Sequence, residues 1–258
     1  MRLRKTKRIA ALQARKMFLA LQSEPWFSTL NYSLLIHLYR LWPFSSWRIT
    51  IAETLVLNPW LSTFPFGLTY YLTWREIHKE LANGEIRRKQ VLGILLACLI
   101  AAVATILLRL WVSWPAPARA SNFQSLYPPY YQGFGTKNCF PSHSTLVYMI
   151  VAIGLLPLHR KIAAVLVAFV LLGISLPRVY LGGHYPIDVI ASVVLAIASC
   201  LAVHSLSRLS RVQALLNWAG TRGLWSEILI FLSSFELGNG FQGTMATISM
   251  SRHLSRLF

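Results

Sequence analysis

The sequence predicts an all-α, polytopic membrane bundle of about five or six spans with flanking amphipathic helices, and three observations predict it. Of the 258 residues, 55% are hydrophobic and only 13% are charged, where a water-soluble domain carries roughly 25% charged residues. The apolar residues gather in runs of membrane-crossing length. The basic residues behind the net charge of +17 lie in short clusters at the ends of those runs, as the orientation signals of a membrane protein do. This composition excludes a disordered chain and argues against an ordinary soluble enzyme. Nucleic acid is not an expected partner either: no DNA- or RNA-binding motif is present, and the aromatic residues sit inside the apolar runs.

Residues 2–22 read as a basic amphipathic helix on a lipid headgroup surface, with Leu12, Met17, Leu19 and Leu21 among its apolar positions. No apolar core followed by a small-residue cleavage site marks this segment as a signal peptide. Residues 26–42 are apolar but interrupted by Asn31, His37 and Arg40, which predicts an interfacial or re-entrant helix. Spans follow at 55–74 and at 91–108, the latter uncharged from Val91 to Leu108. Further spans are expected at 144–158, 162–177 and 186–206, the first two joined by His159-Arg160-Lys161. The stretch Leu224 to Leu237, broken by Glu227 and Glu236, reads as an interfacial helix before a loose end, or else as one more span. Three regions result: a basic, interfacial N-terminal region 1–45, a transmembrane region 46–207 and an interfacial tail 208–258.

Cations fix the orientation. Arg75, Lys79, Arg87, Arg88 and Lys89, then Arg160 and Lys161, then Arg208, Arg211 and Arg222 all fall on one side if the spans alternate. That side is cytoplasmic by the positive-inside rule, so the chain is expected in a cell inner membrane as a multi-pass protein. The segments 109–143 and 177–185 then face outward, on the periplasmic or extracellular side.

Those two segments hold nearly every group capable of chemistry: Arg109, Arg119, Lys137, Ser142, His143, Arg178 and His184, with Asp188, the sole aspartate of the chain, just beyond. An ionisable group at a membrane boundary is costly unless paired or functional. One role open to Asp188 is to cap the helix that starts near Tyr185-Pro186. The spacing Arg178-x5-His184-x3-Asp188 opens a second role. It places the carboxylate about one helical turn from the imidazole, able to accept the Nδ1 hydrogen and leave Nε2 free as nucleophile or base. His37, His78, His159, His204 and His253 show no such partner pattern, and Lys137 reads as a solvated loop residue. Cys98 and Cys200 sit in apolar runs and read as packing residues, and the three cysteines have no metal-ligand spacing.

The run Arg178-Val-Tyr-Leu-Gly-Gly-His184-Tyr-Pro-Ile-Asp188 resembles the third signature, Ser-Arg-x5-His-x3-Asp, of the type 2 phosphatidic acid phosphatase and vanadium haloperoxidase superfamily. Pro177 stands where that signature has Ser. Phe140-Pro141-Ser142-His143-Ser144-Thr145 partly matches the second signature, Pro-Ser-Gly-His, with its histidine one residue early. The first signature, Lys-x6-Arg-Pro, is matched by Arg109 in place of Lys and by Pro117, with Ala116 at the Arg position and Arg119 the nearest substitute.

The resemblance covers about residues 50–206 and implies a membrane lipid phosphatase of the undecaprenyl-diphosphatase-like kind, with its site at the outer membrane surface. It implies that His184 attacks phosphorus, that Asp188 orients His184, and that His143 protonates the leaving oxygen and later activates water. It also implies that Arg178, Arg119 and Arg109 neutralise the phosphoryl oxygens and that Ser142 adds a donor. No metal and no cofactor is expected. The substrate is expected to be a lipid phosphate or diphosphate, first of all undecaprenyl diphosphate. Phosphatidic acid, phosphatidylglycerol phosphate, phosphoryl transfer to another acceptor, and a catalytically inactive lipid-binding relative remain alternatives. Nothing in the sequence sets the oligomeric state.

Overall fold

Proline opens three of the helices of this chain, at Pro25, Pro59 and Pro186, and Asn58 caps the second of them. The structure is a computed structural model that describes residues 25–78, 84–112, 114–121, 123–128, 132, 135, 138–221 and 224–238. The helix expected over 2–22 and the loose end beyond residue 238 lie outside them. Among the described residues the chain forms α1 (Pro25–Leu41), α2 (Ser46–Leu57), α3 (Phe64–His78) and α4 (Gly84–Trp111). After a long connection come α5 (His143–Gly154), α6 (Arg160–Tyr180), α7 (Pro186–Leu206), α8 (Ser210–Thr221) and α9 (Leu224–Gly238). No strand occurs among the described residues.

Among the described residues three helices are long and apolar enough to cross a membrane: Gly84–Arg109, Arg160–Tyr180 and Pro186–Leu206. The expected span 55–74 is instead divided. Helix α2 stops at Leu57, Asn58 Oδ1 accepts a hydrogen bond from Trp60 N (3.0 Å), and Pro59 opens a one-turn helix, Pro59–Ser62, ahead of α3. An asparagine cap followed by proline at the first helical position starts a new helix rather than continuing the old one. The expected span 144–158 is also shorter. Helix α5 has 12 residues, about 18 Å at 1.5 Å per residue, against a hydrocarbon core of about 30 Å.

Helix α5 is the centre of the bundle. Thr145 to Ala152 are all buried, and a helix that is apolar all round belongs inside. Around it lie Phe66, Tyr70, Trp74 and Ile77 of α3, Val91 to Ala101 of α4, Ile174 of α6, and Ala196 and Val203 of α7. In the tail, α8 packs on α4 through Leu216, and α9 packs on α3 through Ile230. Helix α1 rests against α7 and the end of α6, with Leu35 fully buried.

The outer faces are apolar. Leu99, Val103, Ile106 and Leu107 on α4, Val165 and Leu172 on α6, and Val194 and Leu201 on α7 are each at least 50% exposed. A contiguous surface of this kind is stable only when something apolar covers it, here a lipid bilayer.

The helices alternate as the cation count requires. Ile86 and Lys89 near the start of α4, Ile153 and Pro157 at the end of α5, and His204 and Ser207 at the end of α7 surround one cavity of about 500 Å³. His159, before α6, reaches Glu76 near the end of α3 (Nε2–Oε2 3.4 Å). Arg109, His143, Arg178 and Asp188 occupy the other ends of α4, α5, α6 and α7. In α6, residues Val170–Ser175 wind as a π-helix just before Pro177. Proline lacks an N–H and clashes with the carbonyl four residues back, and the wider turn accommodates it. The helix therefore continues to Tyr180, and Arg178 stands on its last turn rather than in the expected 177–185 loop.

Candidate active site

Three segments meet at this end of the bundle. The first runs from the end of α4 through residues 112–120, the second from 138 into α5, and the third from the end of α6 into α7. The first two are tied edge to edge: Asn138 Nδ2 donates to Val112 O (2.8 Å) and Cys139 N to Trp114 O (3.0 Å). Arg109 secures the same junction, its Nε donating to Phe140 O (3.3 Å) and its Nη2 to Pro141 O (3.3 Å). The first and third segments are tied by Ala118 N, which donates to Gly182 O (3.1 Å).

Gly182 has φ +76°, and a Cβ there would lie 2.5 Å from the Tyr127 ring and 2.7 Å from Ala118 Cβ. Only glycine meets both demands, the left-handed backbone and the close approach. Arg119 sits on the turn that this contact positions. Its Nη1 donates to Gly135 O (3.1 Å), and Gly135 in turn lies over Gly183. The exposed Arg119 guanidinium thus overhangs the loop that leads to His184.

Asp188 is fully buried. Its Oδ2 accepts the Tyr185 backbone N–H (2.8 Å) in a capping box, and its Oδ1 accepts the Trp114 indole N–H (3.1 Å). Trp114, Phe140, Tyr185 and Phe123 form a chain of edge-on rings beside it. His184 Nδ1 lies 3.6 Å from Asp188 Oδ2. It is buried and has no hydrogen-bond partner among the described residues. Both roles open to Asp188 are present together, helix cap and imidazole neighbour.

His143 is the first residue of α5 and precedes the apolar stretch 144–158. Burial first, then the guanidinium groups of Arg109 and Arg178, push its imidazole down from 6.5 to about 4. The histidine that stands one residue early in sequence therefore lies within electrostatic reach of both arginines. Arg178 is largely buried, and its Nη1 has no hydrogen-bond partner among the described residues. Leaving such a donor unsatisfied is costly, and a phosphoryl oxygen is the acceptor a guanidinium fork suits best.

Ser142 is the residue that precedes the first turn of α5. It is fully buried, and its hydroxyl shares a hydrogen bond with Thr145 (3.0 Å), which shares another with Ser175 (2.8 Å), whose hydroxyl donates to Val170 O. This chain fastens the start of α5, next to His143, to the π-turn of α6.

Sequence reasoning passed over two residues. Trp114 donates to Asp188, and a signal existed: a buried indole needs an acceptor, and the chain has one aspartate to offer it. Cys139 is fully buried, and its Sγ, His184 Nδ1 and an Asp188 carboxylate oxygen all lie within 4.8 Å of one another. Burial and the neighbouring Asp188 carboxylate push this thiol well above its ordinary range. Among the described residues this is the group of side chains able to hold a metal ion.

Comparison with protein families matches residues 90–211 to the PAP2 superfamily. That range takes in Arg109, His143, Arg178, His184 and Asp188, all three segments that form the site. No curated protein and no solved structure gives a match.

Proposed function

We propose that this protein is a membrane phosphatase of the PAP2 superfamily that removes phosphate from a lipid phosphate or diphosphate. Undecaprenyl diphosphate is the first choice of substrate, on the resemblance of the three motifs. One observation carries the proposal: the buried Arg178 Nη1 has no hydrogen-bond partner among the described residues, the charges of Arg178 and Arg109 both act on His143, and a second histidine, His184, has the Asp188 carboxylate 3.6 Å from its Nδ1. Two arginines and two histidines at one mouth suit a phosphoryl group and its leaving oxygen.

In this reading His184 Nε2 attacks phosphorus, and the bond from phosphorus to the lipid oxygen breaks as that oxygen takes a proton from His143. Asp188 accepts a hydrogen bond from Nδ1–H, which keeps its proton, and stabilises the imidazolium that forms. A water then gives its proton to His143 and attacks the phosphohistidine, which releases inorganic phosphate. The arginines also time the acid. In the free protein their charge helps keep His143 neutral, and a bound phosphate neutralises that charge and lets His143 take up the proton it must donate. Arg119 guards the rim, where it meets the outer oxygens of the substrate. The cation distribution supports a site on the outward face of a cell inner membrane.

The test is phosphate release by purified protein in detergent from a panel of undecaprenyl diphosphate, phosphatidic acid and phosphatidylglycerol phosphate. Wild type should release phosphate from at least one lipid. His184→Ala should release none and trap no phosphoenzyme, and Asp188→Asn should be slower by about 10³- to 10⁴-fold. Release by His184→Ala at the wild-type rate would remove the motif from the mechanism, and silence of wild type on every lipid would favour a non-catalytic lipid-binding relative.

A further inference from the structure

The catalytic pair of this chain has a neighbour that the proposed reaction does not use. Cys139 presents a thiol sulfur to the same small space that His184 Nδ1 and the Asp188 carboxylate face, with the three ligand atoms within 4.8 Å of one another. Two of the three are held in place by bonds of their own. Cys139 is pinned through its backbone N–H to Trp114 O (3.0 Å). Asp188 is pinned by the Trp114 indole and the Tyr185 N–H, and each carboxylate oxygen keeps a further lone pair beyond those bonds. The third, His184 Nδ1, is buried with no hydrogen-bond partner among the described residues and stands 3.6 Å from Asp188.

One sulfur, one imidazole nitrogen and one carboxylate oxygen converging from three sides is a donor set for a thiophilic, tetrahedral cation with its fourth position open. Magnesium and calcium, which demand oxygen ligands, are not suited to it. We propose that Cys139, His184 and Asp188 form an inhibitory site for a thiophilic divalent cation such as Zn²⁺ or Cd²⁺. Binding forms a metal–sulfur bond as the thiol proton leaves to solvent. It also forms a metal–Nδ1 bond as the imidazole proton moves to Nε2, so one proton is released per ion. The ion thereby occupies Nδ1 and places a hydrogen on the nitrogen that must attack phosphorus. Turnover itself needs no ion at this position.

The inhibition rests on the proposed phosphatase reaction, but the binding does not, and the two are measured separately. The full chain in detergent is titrated with Cd²⁺ while the thiolate-to-cadmium ultraviolet absorption is followed. Wild type should saturate at one ion per chain, Zn²⁺ should displace the Cd²⁺, and Mg²⁺ should not. The double variant Cys98→Ser with Cys200→Ser should keep the absorption, and Cys139→Ser should lose it. His184→Ala keeps the sulfur but should bind more weakly by at least the roughly 10- to 100-fold that loss of even an outer-shell partner costs.

In the activity arm, Zn²⁺ should silence wild-type phosphate release, while Cys139→Ser should retain most of its own metal-free rate. Absorption that persists in Cys139→Ser, or that never appears in wild type, would overturn the proposal. A wild type that binds Cd²⁺ through Cys139 yet releases no phosphate would uphold the site and count against the phosphatase reading instead.

Discussion

Replacing Trp114 by Phe tests whether Asp188 is secured from outside its own helix. In the structure the indole N–H reaches Asp188 Oδ1 at 3.1 Å, and the carboxylate is fully buried. A hydrogen bond to a charged group contributes about 1.5–3 kcal/mol, but Trp114→Phe also removes part of a buried ring, so the single variant confounds the two effects. A double-mutant cycle separates them. Unfolding in detergent is measured for wild type, Trp114→Phe, Asp188→Ala and the pair. The ring loss is common to both backgrounds and cancels, as does the loss of the cap, which leaves a coupling of about 1.5–3 kcal/mol, roughly 10- to 150-fold in the folding equilibrium. The double variant should therefore be more stable than the sum of the single losses implies. Additivity within about 0.5 kcal/mol would refute the claim that this bond holds the carboxylate.

Three further outcomes follow from the same geometry. Gly182→Ala forces a side chain into a left-handed backbone, about 1–2 kcal/mol, and into the Tyr127 ring, about 1–3 kcal/mol of overpacking; its melting temperature in detergent should fall, and an unchanged value would remove the contact between residues 118 and 182 from the site's support. His143 stays neutral in the fold down to about pH 4 but has a value of 6.5 when unperturbed. Its contribution is thus complete above pH 6.5 and is lost as the pH falls from 6.5 towards 4, so His143→Gln should flatten the acid limb of a stability profile over that window, and an equally steep limb would count against the burial. A cysteine placed at Asn83 should be shielded from a membrane-impermeant thiol reagent in intact cells, and one at Gln132 should react once Cys139 is replaced; the reverse pattern would invert the topology.

What the sequence made legible follows from periodicity and cost. Apolar runs such as Val91–Leu108 announce α4 because nothing else in a membrane satisfies the backbone, and Arg178, His184 and Asp188 stand out because charge at a membrane boundary needs a reason. The division of 55–74 was also written, in Asn58-Pro59, but an apolar count over a window does not see a cap. Packing was not legible. Nothing in the local pattern of residues 210–238 says that Leu216 and Ile230 find partners on α4 and α3, because an amphipathic helix offers the same face to a bilayer surface and to a bundle. The partners of Asp188 were hidden for a similar reason: Trp114 is 74 positions away, and only the fold closes that distance.

The pairing of His184 with Asp188 also has a different origin from the one their spacing suggests. Four residues apart reads as one turn of a helix, yet α7 begins at Pro186 and His184 stands outside it. The backbone at Tyr185 is extended (φ −80°, ψ 154°), and the carboxylate returns to the imidazole because Oδ2 accepts the Tyr185 N–H from its place on the first turn. The distance between His184 and Asp188 is therefore set by a helix cap, not by helical rise. A cap is worth about 0.5–2 kcal/mol on its own, and here the interaction that starts α7 also holds Asp188 beside His184. Substitutions that weaken the cap should then move Asp188 relative to His184 before they unfold the helix, since α7 is also packed on α5 and α4.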